Sequence, residues 1–480
     1  MTERMRVAGA AAAIAMIAGL LFLDVHPDQN PAKISGMVLA GAAWAVFAAG
    51  AWLVRGISVR RSVGLIVVGG VLIQLVAVSA PPRESDDLYR YIWDGRVQAA
   101  GIDPYQYVPA ARELAGLRDP FLWHAGGGWC VHHGSRDPDV RGETLVGGCT
   151  MINRPKVHTI YPPVAEAYFL ALHYVTPAGF GSTPVRAAAG LCAILITLLL
   201  LFGLGYLGRD KRLAVLWAWC PAVALEAGNN GHVDVLAAGL TAAALFVLAR
   251  AGSLRRTFAG GVLLGLAVAT KVTPILITPA VLRRRWAAVA FAVAGSTGAV
   301  YLPHVIAVGP KVLGFLPGYL NEEGYNDGSR FVLLGVFLRG WHAIAAALVI
   351  LAVTGLLALR FADPDRPWRA ALVMTGVTFA VTTPNYPWYG LLLVVLVAID
   401  GRAEWLGFAV AGYVGQAGLP GEFHLDRIYA ERIAYAAAVI GVAAVWLARR
   451  TIASRRSDDG RPPAQLVPAT PRAPVTVASG

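Results

Sequence analysis

The feature that most constrains this chain is the recurrence of apolar stretches of bilayer-crossing length, bounded by arginine. Residues 62–80, "SVGLIVVGGVLIQLVAVSA", are a clear case, with Arg60 and Arg61 before them and Arg83 just after. About 20 consecutive apolar residues form a helix that crosses ~30 Å of hydrocarbon. Only 15% of the 480 residues are charged, against about a quarter in soluble domains. Lipid leaves open sheet edges unsatisfied, and the two-residue alternation of an outer-membrane barrel is absent. The sequence predicts an all-α polytopic membrane protein.

The arginines orient it. Basic clusters fall at Arg4 and Arg6; Arg55, Arg60 and Arg61; Arg209, Lys211 and Arg212; and Arg250, Arg255 and Arg256. Others are Arg283 to Arg285; Arg360, Arg366 and Arg369; Arg402; and Arg449 to Arg456. Placing them all on the cytoplasmic side requires an even number of spans between neighbouring clusters and gives a bundle of about 12–14 transmembrane helices. The candidate spans are 6–24, 35–54, 62–80, 186–207, 212–228, 233–250, 257–270 with a short 273–282, 286–308, 341–361, 369–384, 386–399, 405–420 and 428–448. Parity makes 161–178, "YPPVAEAYFLALHYVTPA", an interfacial helix rather than a span. It also makes 257–282 a pair of half-helices with Lys271 at the tip, a form tolerated where backbone lines a cavity. Loop 81–185, "GNNGHVD", Lys271, loop 309–340 and "PNYPWY" then share the extracytoplasmic face.

Three regions follow: an N-terminal two-span hairpin over 1–61, a transmembrane catalytic domain over 62–450, and a disordered cytoplasmic tail over 451–480, poor in large apolar residues. The expected location is the plasma (inner) membrane, multi-pass. The net charge of +12 sits at span ends, so the expected partner is the lipid bilayer and no nucleic acid.

Polar residues concentrate on the outer face. In "SDDLYRYIWDGR" (85–96), a helix beginning at Asp87 carries Tyr91 and Asp94 on the same face. Ser85 or Asp86 as N-cap, with aromatics in the headgroup belt, accounts for part of this. It leaves two adjacent carboxylates to explain, and a functional acid stands beside the capping one. His232 and Asp234 enter a span after "GNNG", where ionisable groups usually face a cavity. Lys271 has no acid within twenty residues and suits a phosphate, which lysine binds as a point charge. Cys130 and Cys149 share the outer loop and are expected to pair. The nearby His124, His132 and His133 match no standard zinc spacing, so no metal site is assigned. Trp388 and Tyr389 either stack on sugar faces or anchor spans, and Asn326 with Asp327 lines the acceptor side or forms a plain turn.

"DDLYRYIWDGRVQAAGIDPYQY", "TIYPPVAEAYF", "GHVDVLAAGL", "GLAVATKVTPILITPAVLRRR" and "TPNYPWYGLLLVVL" occur in an order that resembles the polyprenyl-phosphate-dependent glycosyltransferases of the GT-C fold, above all the mannosyltransferases of glycosyltransferase family 87. The likeness covers roughly residues 62–400. It implies a catalytic aspartate in the first large extracytoplasmic loop, two interfacial helices in that loop, and a lipid-linked donor entering between spans. The family's Asp-x-x-x-Tyr pattern falls on Asp87 to Tyr91, with Asp86 as the alternative. The chain departs from the family in the two spans that precede the one leading into the loop, and in an apparent insertion over 119–157.

The resemblance implies an inverting transfer of a sugar, mannose, from a polyprenyl-phosphate donor to a glycan or glycolipid acceptor of the cell envelope. The chemistry agrees. No P-loop or Rossmann glycine pattern is present, and a phosphate leaving group needs no general acid, unlike a glycosidase. One general base and cations for the departing phosphate suffice. Asp87 is the expected base, Lys271 the phosphate contact, His232 its helper, and Tyr91 a sugar-stacking ring. No cofactor is expected, and the sequence leaves a divalent metal open. The rival reading is a transporter or lipid-linked sugar flippase, which predicts charges near mid-bilayer and related halves.

Overall fold

A computed structural model describes residues 1–124, 144–145, 148–177, 179–416 and 426–458. The helices are α1 (Glu3–Val25), α2 (Gly36–Val54), α3 (Val59–Val78), α4 (Asp87–Ala99), α5 (Pro163–Val175), α6 (Thr183–Tyr206) and α7 (Asp234–Ala249). They continue as α8 (Leu254–Val268), α9 (Trp286–Val308), α10 (Trp341–Phe361), α11 (Pro367–Thr382), α12 (Gly390–Asp400), α13 (Gly407–Gln416) and α14 (Arg427–Asp458). A small antiparallel sheet in the long loop has the order β1 (Trp123–His124), β3 (Gly148–Thr150), β2 (Thr144–Leu145). The protein is an all-α polytopic membrane protein.

Seven helices among the described residues are long and apolar enough to cross a membrane: α1, α2, α3, α6, α9, α10 and α14. The other expected spans are shorter. Helix α12 has 11 residues, all of them buried, which makes only ~16 Å of helix. The expected span 212–228 is a chain of short turns broken at Pro221, ending in a π-helical turn over Ala224–Asn229. Trp217 and Trp219 within it are completely buried. Irregular backbone and short helices are tolerated at membrane depth when protein covers them, so the short pieces lie inside and the long helices outside.

Within the expected interfacial stretch, helix α5 (Pro163–Val175) packs on α4. A Cβ at Gly95 would clash with the Phe169 carbonyl oxygen, so only glycine permits this approach. The chain breaks after Val268 and resumes as a 3-10 turn from Thr273, the interruption expected around Lys271. Helix α14 runs on to Asp458, into the stretch expected to be a tail; residues 459–480 lie outside the described residues.

Contacts separate the two ends of the bundle. At one end the basic clusters hold one another's helix termini. Arg212 donates to Arg55 O at 2.8 Å, Arg209 to Asp400 O at 2.8 Å and Arg283 to Ala362 O at 2.9 Å, while Arg285 reaches Gly252 O at 3.3 Å and Arg449 pairs with Glu404 at 2.8 Å. At the other end the segments around 83–87, 153–164, 229–234, 269–271, 315–322 and 386–389 bond to each other.

Candidate active site

The aspartate pair is presented by a strap, residues 79–86, between α3 and α4. Two amides in "GNNGHVD" fix the strap. Asn229 Nδ2 donates to Ala77 O, Ala80 O and Pro81 O, and its oxygen accepts from Arg83 N at 3.1 Å. Asn230 Oδ1 accepts from Glu84 N at 3.2 Å. The Arg83 guanidinium pairs with Asp24 at the end of α1. Gly228 lets the π-helical turn press on α3, since a Cβ there would lie 2.6 Å from Gln74 Oε1. Gly231 turns the chain at φ +71. The asparagines that look like an ordinary turn thus tie Asp87's approach to the bundle.

Capping does not explain the pair. Asp86 occupies the N-cap position of α4, but its side chain makes no capping bond. Ser85 Oγ accepts from Asp87 N instead, at 3.3 Å. Burial, reinforced by the neighbouring Asp87 charge, pushes the Asp86 pKa up to about 7.

Asp87 Oδ1 accepts from Asn153 Nδ2 at 2.7 Å. Its other oxygen lies 3.9 Å from His232 Nδ1, and the side chain is 17% exposed. His232 is fully buried and stacks on Trp388 with ring centroids 4.1 Å apart. Burial lowers its pKa to about 3 against the pull of Asp87, with Lys271 also lowering it; the ring is a neutral imidazole. Neither ring nitrogen has a hydrogen-bond partner, although Nε2 is 3.5 Å from Glu226 Oε2. Glu226 is buried and accepts from Tyr413 Oη at 2.6 Å and Asn230 Nδ2 at 3.1 Å.

Lys271 finds its acid far along the chain. Its Nζ lies 3.1 Å from Asp234 Oδ2 and sits over the Tyr389 and Tyr161 rings at 5.4 and 5.6 Å. Tyr389 and Tyr319 share a hydroxyl contact of 2.6 Å. A phosphate reaching this lysine meets a cation already half-neutralised and walled by aromatics.

The structure therefore brings together Asp87, His232, Asp234, Lys271, Trp388 and Tyr389, with Asp86 next to Asp87. Tyr91 belongs to the core of the α4–α5 pair: it is buried, stacked on Phe169 at 4.3 Å and edge-on to Tyr161 at 5.0 Å. Asp94 is buried in a bidentate bond from Arg90 Nε, 2.9 Å to each oxygen. Asn326 is exposed, lies in a turn and bonds to Asn321 at 3.4 Å. Cys149 is disulfide-bonded, while Cys130, its expected partner, lies outside the described residues, as do His132 and His133. Sequence reasoning did not single out Asn153, Arg154, which pairs with Glu322 at 3.0 Å, or Glu226. Only Glu226 carried a signal: it is a carboxylate inside an apolar stretch, a feature that marks a functional site in a membrane protein.

The model of glycosyltransferase family 87 matches residues 159–384, a stretch that contains His232, Asp234, Lys271 and Asn326 but begins after the aspartate pair and stops before Trp388. No curated protein matches the chain. Among solved structures, the crystal structure of an Archaeoglobus fulgidus oligosaccharyltransferase in complex with Zn and sulfate aligns at 12% identity and a TM-score of 0.38. The alignment covers 78% of this chain and 52% of that one, so this chain spans about half its length. Over residues 159–384 the chain is thus similar to glycosyltransferase family 87, a likeness that supports a membrane glycosyltransferase.

Proposed function

We propose that the chain is an inverting glycosyltransferase that moves a sugar, mannose by its family likeness, from a polyprenyl-phosphate donor to an envelope glycan or glycolipid. The reaction takes place on the extracytoplasmic face of the plasma membrane, with Asp87 as general base. The observation that carries this reading is the state of Asp87. It is a partly exposed carboxylate held at one oxygen by Asn153 and facing a neutral histidine with the other. Among the described residues it has no lysine or arginine within ion-pair distance. Tyr161 also interacts with this carboxylate, and the oxygen facing His232 is the one offered to the acceptor's proton.

The acceptor hydroxyl attacks the anomeric carbon as the phosphate leaves with the bonding electrons, and Asp87 receives the hydroxyl proton. A β-linked donor gives an α-linked product. Lys271 faces the departing phosphate, with Tyr161 and Tyr389 excluding water around it. Trp388 offers a ring face to the sugar.

The test is transfer from radiolabelled polyprenyl-phosphate-mannose in membranes containing the full chain. Asn keeps the size of Asp87 and still tolerates the first turn of a helix, but cannot take a proton. Asp87→Asn is expected to lower turnover by at least ~100-fold, the low end for general-base catalysis, with unchanged expression. Full activity in both Asp87→Asn and Asp86→Asn overturns the mechanism.

A further inference from the structure

Resting on that reading, we propose that Arg154, Glu322 and Tyr386 form the acceptor subsite, binding the hydroxyls of a neutral sugar and aiming one of them at Asp87. Contacts close a ring around the Asp87 carboxylate. Asn153 holds Oδ1 at 2.7 Å, and His232 faces Oδ2 at 3.9 Å. His232 stacks on Trp388, and Trp388 on Tyr386 with ring centroids 4.6 Å apart. The Tyr386 hydroxyl interacts with Arg154, the residue after Asn153, which completes the circuit. Arg154 pairs with Glu322 at 3.0 Å, and their side chains are 44% and 47% exposed. A hydroxyl that approaches Asp87 from water therefore passes this pair.

The backbone points to a role beyond pairing. Arg154 has φ +48, in the left-handed region where asparagine is common and arginine is not. A half-exposed ion pair adds too little stability to account for a strained backbone. The strained residue instead serves two walls at once. It leaves Asn153 on the Asp87 side and carries its own guanidinium to Phe315 and Glu322 across the opening. Both Asn153 and Arg154 fall within 119–157, the stretch that reads as an insertion, so this wall is the chain's own addition.

The chemistry of the rim selects its ligand. A guanidinium only donates hydrogen bonds and an ionised carboxylate only accepts them. Neighbouring hydroxyls of a sugar do both, so one diol satisfies Arg154 and Glu322 together. Glu322 repels an anionic acceptor and Arg154 a cationic one, the like-charge device by which a site rejects wrong partners. Tyr386 also interacts with Glu323, which Arg330 holds at 2.8 Å, so its hydroxyl is fixed at the edge of the opening.

The test uses full-length protein in detergent, with radiolabelled polyprenyl-phosphate-mannose as donor and octyl mannoside as the acceptor probe. Asparagine accepts a left-handed backbone, so Arg154→Asn removes the guanidinium without threatening the fold, and Glu322→Gln keeps the size of an exposed side chain. Each is expected to raise the KM for octyl mannoside ~10-fold or more, the loss of one charge-assisted bond, while kcat and the donor KM stay within ~3-fold. Tyr386→Phe keeps the ring stack and should raise the same KM by less. A plain tether between loops would behave differently, because its loss would loosen Asn153 from Asp87 and lower kcat. An unchanged acceptor KM in both Arg154→Asn and Glu322→Gln, a fall in kcat alone, or a rise in donor KM instead overturns the subsite. So does a wild type that labels membrane glycans from the donor yet never the mannoside, and the transfer reading then stands. A wild type that labels neither removes both.

Discussion

Two carboxylates at opposite ends of the bundle make the instructive comparison. Asp400, with its side chain 1% exposed, lies between Arg369 and Arg402 at 3.5 and 3.1 Å. Asp87 has an amide and a neutral imidazole. A buried acid between two guanidiniums is a structural staple, because removing a partner leaves an uncompensated charge. An acid with no lysine or arginine in direct ion-pair contact keeps lone pairs for another proton. The arginines divide in the same way. At the basic end Arg449 and Arg369 are about half exposed, and the group ties helix termini together. At the site end Arg90 and Arg330 are 5% exposed and locked, Arg330 to Glu323 and to the carbonyls of Thr382 and Thr383. Arginine ties helix ends together where it is solvated, and is locked among carbonyls and acids where it is buried.

The sharpest way to break the comparison is to ask whether the two ends face different compartments. Single cysteines at Asn326, exposed at the site end, and at Asp365, 67% exposed at the basic end, give an all-or-none readout with an impermeant maleimide. The first should label in intact cells and the second only after permeabilisation. Labelling of both from one side removes the two-sided arrangement, and a reversed pattern inverts the proposed orientation.

Next in size is the Lys271–Asp234 pair, where an ion pair and the proposed phosphate contact coincide. Lys271→Met removes a charge-assisted contact worth about 1.5–3 kcal/mol, roughly ten- to more than a hundredfold in donor affinity or rate. It also strands Asp234, whose side chain is 5% exposed, at a stability loss of about 3–5 kcal/mol. The double variant Lys271→Met/Asp234→Asn separates the two effects. It should regain thermal stability and keep the weakened dependence on donor concentration. Recovery of donor dependence along with stability would make Lys271 a staple only.

Local pattern is legible in the sequence, and pairing across the chain is not. The start of a helix at Asp87, the short helix after "YPP" and the break at Lys271 all follow from charge parity and helix period, whereas Tyr89, Tyr91 and Trp93, expected in the headgroup belt, are buried in the protein. The partners of these residues lie 66 positions away for Asp87 and Asn153, and 37 for Lys271 and Asp234, and no periodicity in one sequence encodes such a distance. Tyr91 has the spacing of a site residue but folds into the α4–α5 contact, because a close approach at Gly95 seals the rings between the helices. The expected span count rests on length and hydropathy, which cannot tell a lipid-facing helix from a short one wrapped in protein. Helix α12 is apolar for the second reason.

The smallest effect separates Asp86 from Asp87. The carboxyl of Asp86 is raised from an ordinary value of 3.8 to about 7, first by burial and then by the charge on Asp87. A raised folded pKa means the native chain holds a proton that the unfolded chain releases. Its stabilising contribution is complete below pH ~4 and is lost as pH rises through about 7. Asn resembles the protonated acid, so Asp86→Asn should match the wild type near pH 4 and exceed it in thermal stability by ~1–2 kcal/mol at pH 8, after discounting for the solvent that reaches the side chain. Activity should fall only mildly. Because Asp87's charge helps keep the proton on its neighbour, Asp87→Asn should narrow the gap that Asp86→Asn opens, and the two substitutions should be non-additive. A stability difference independent of pH would mean that Asp86 is ionised throughout, and that it competes with Asp87 to act as the base.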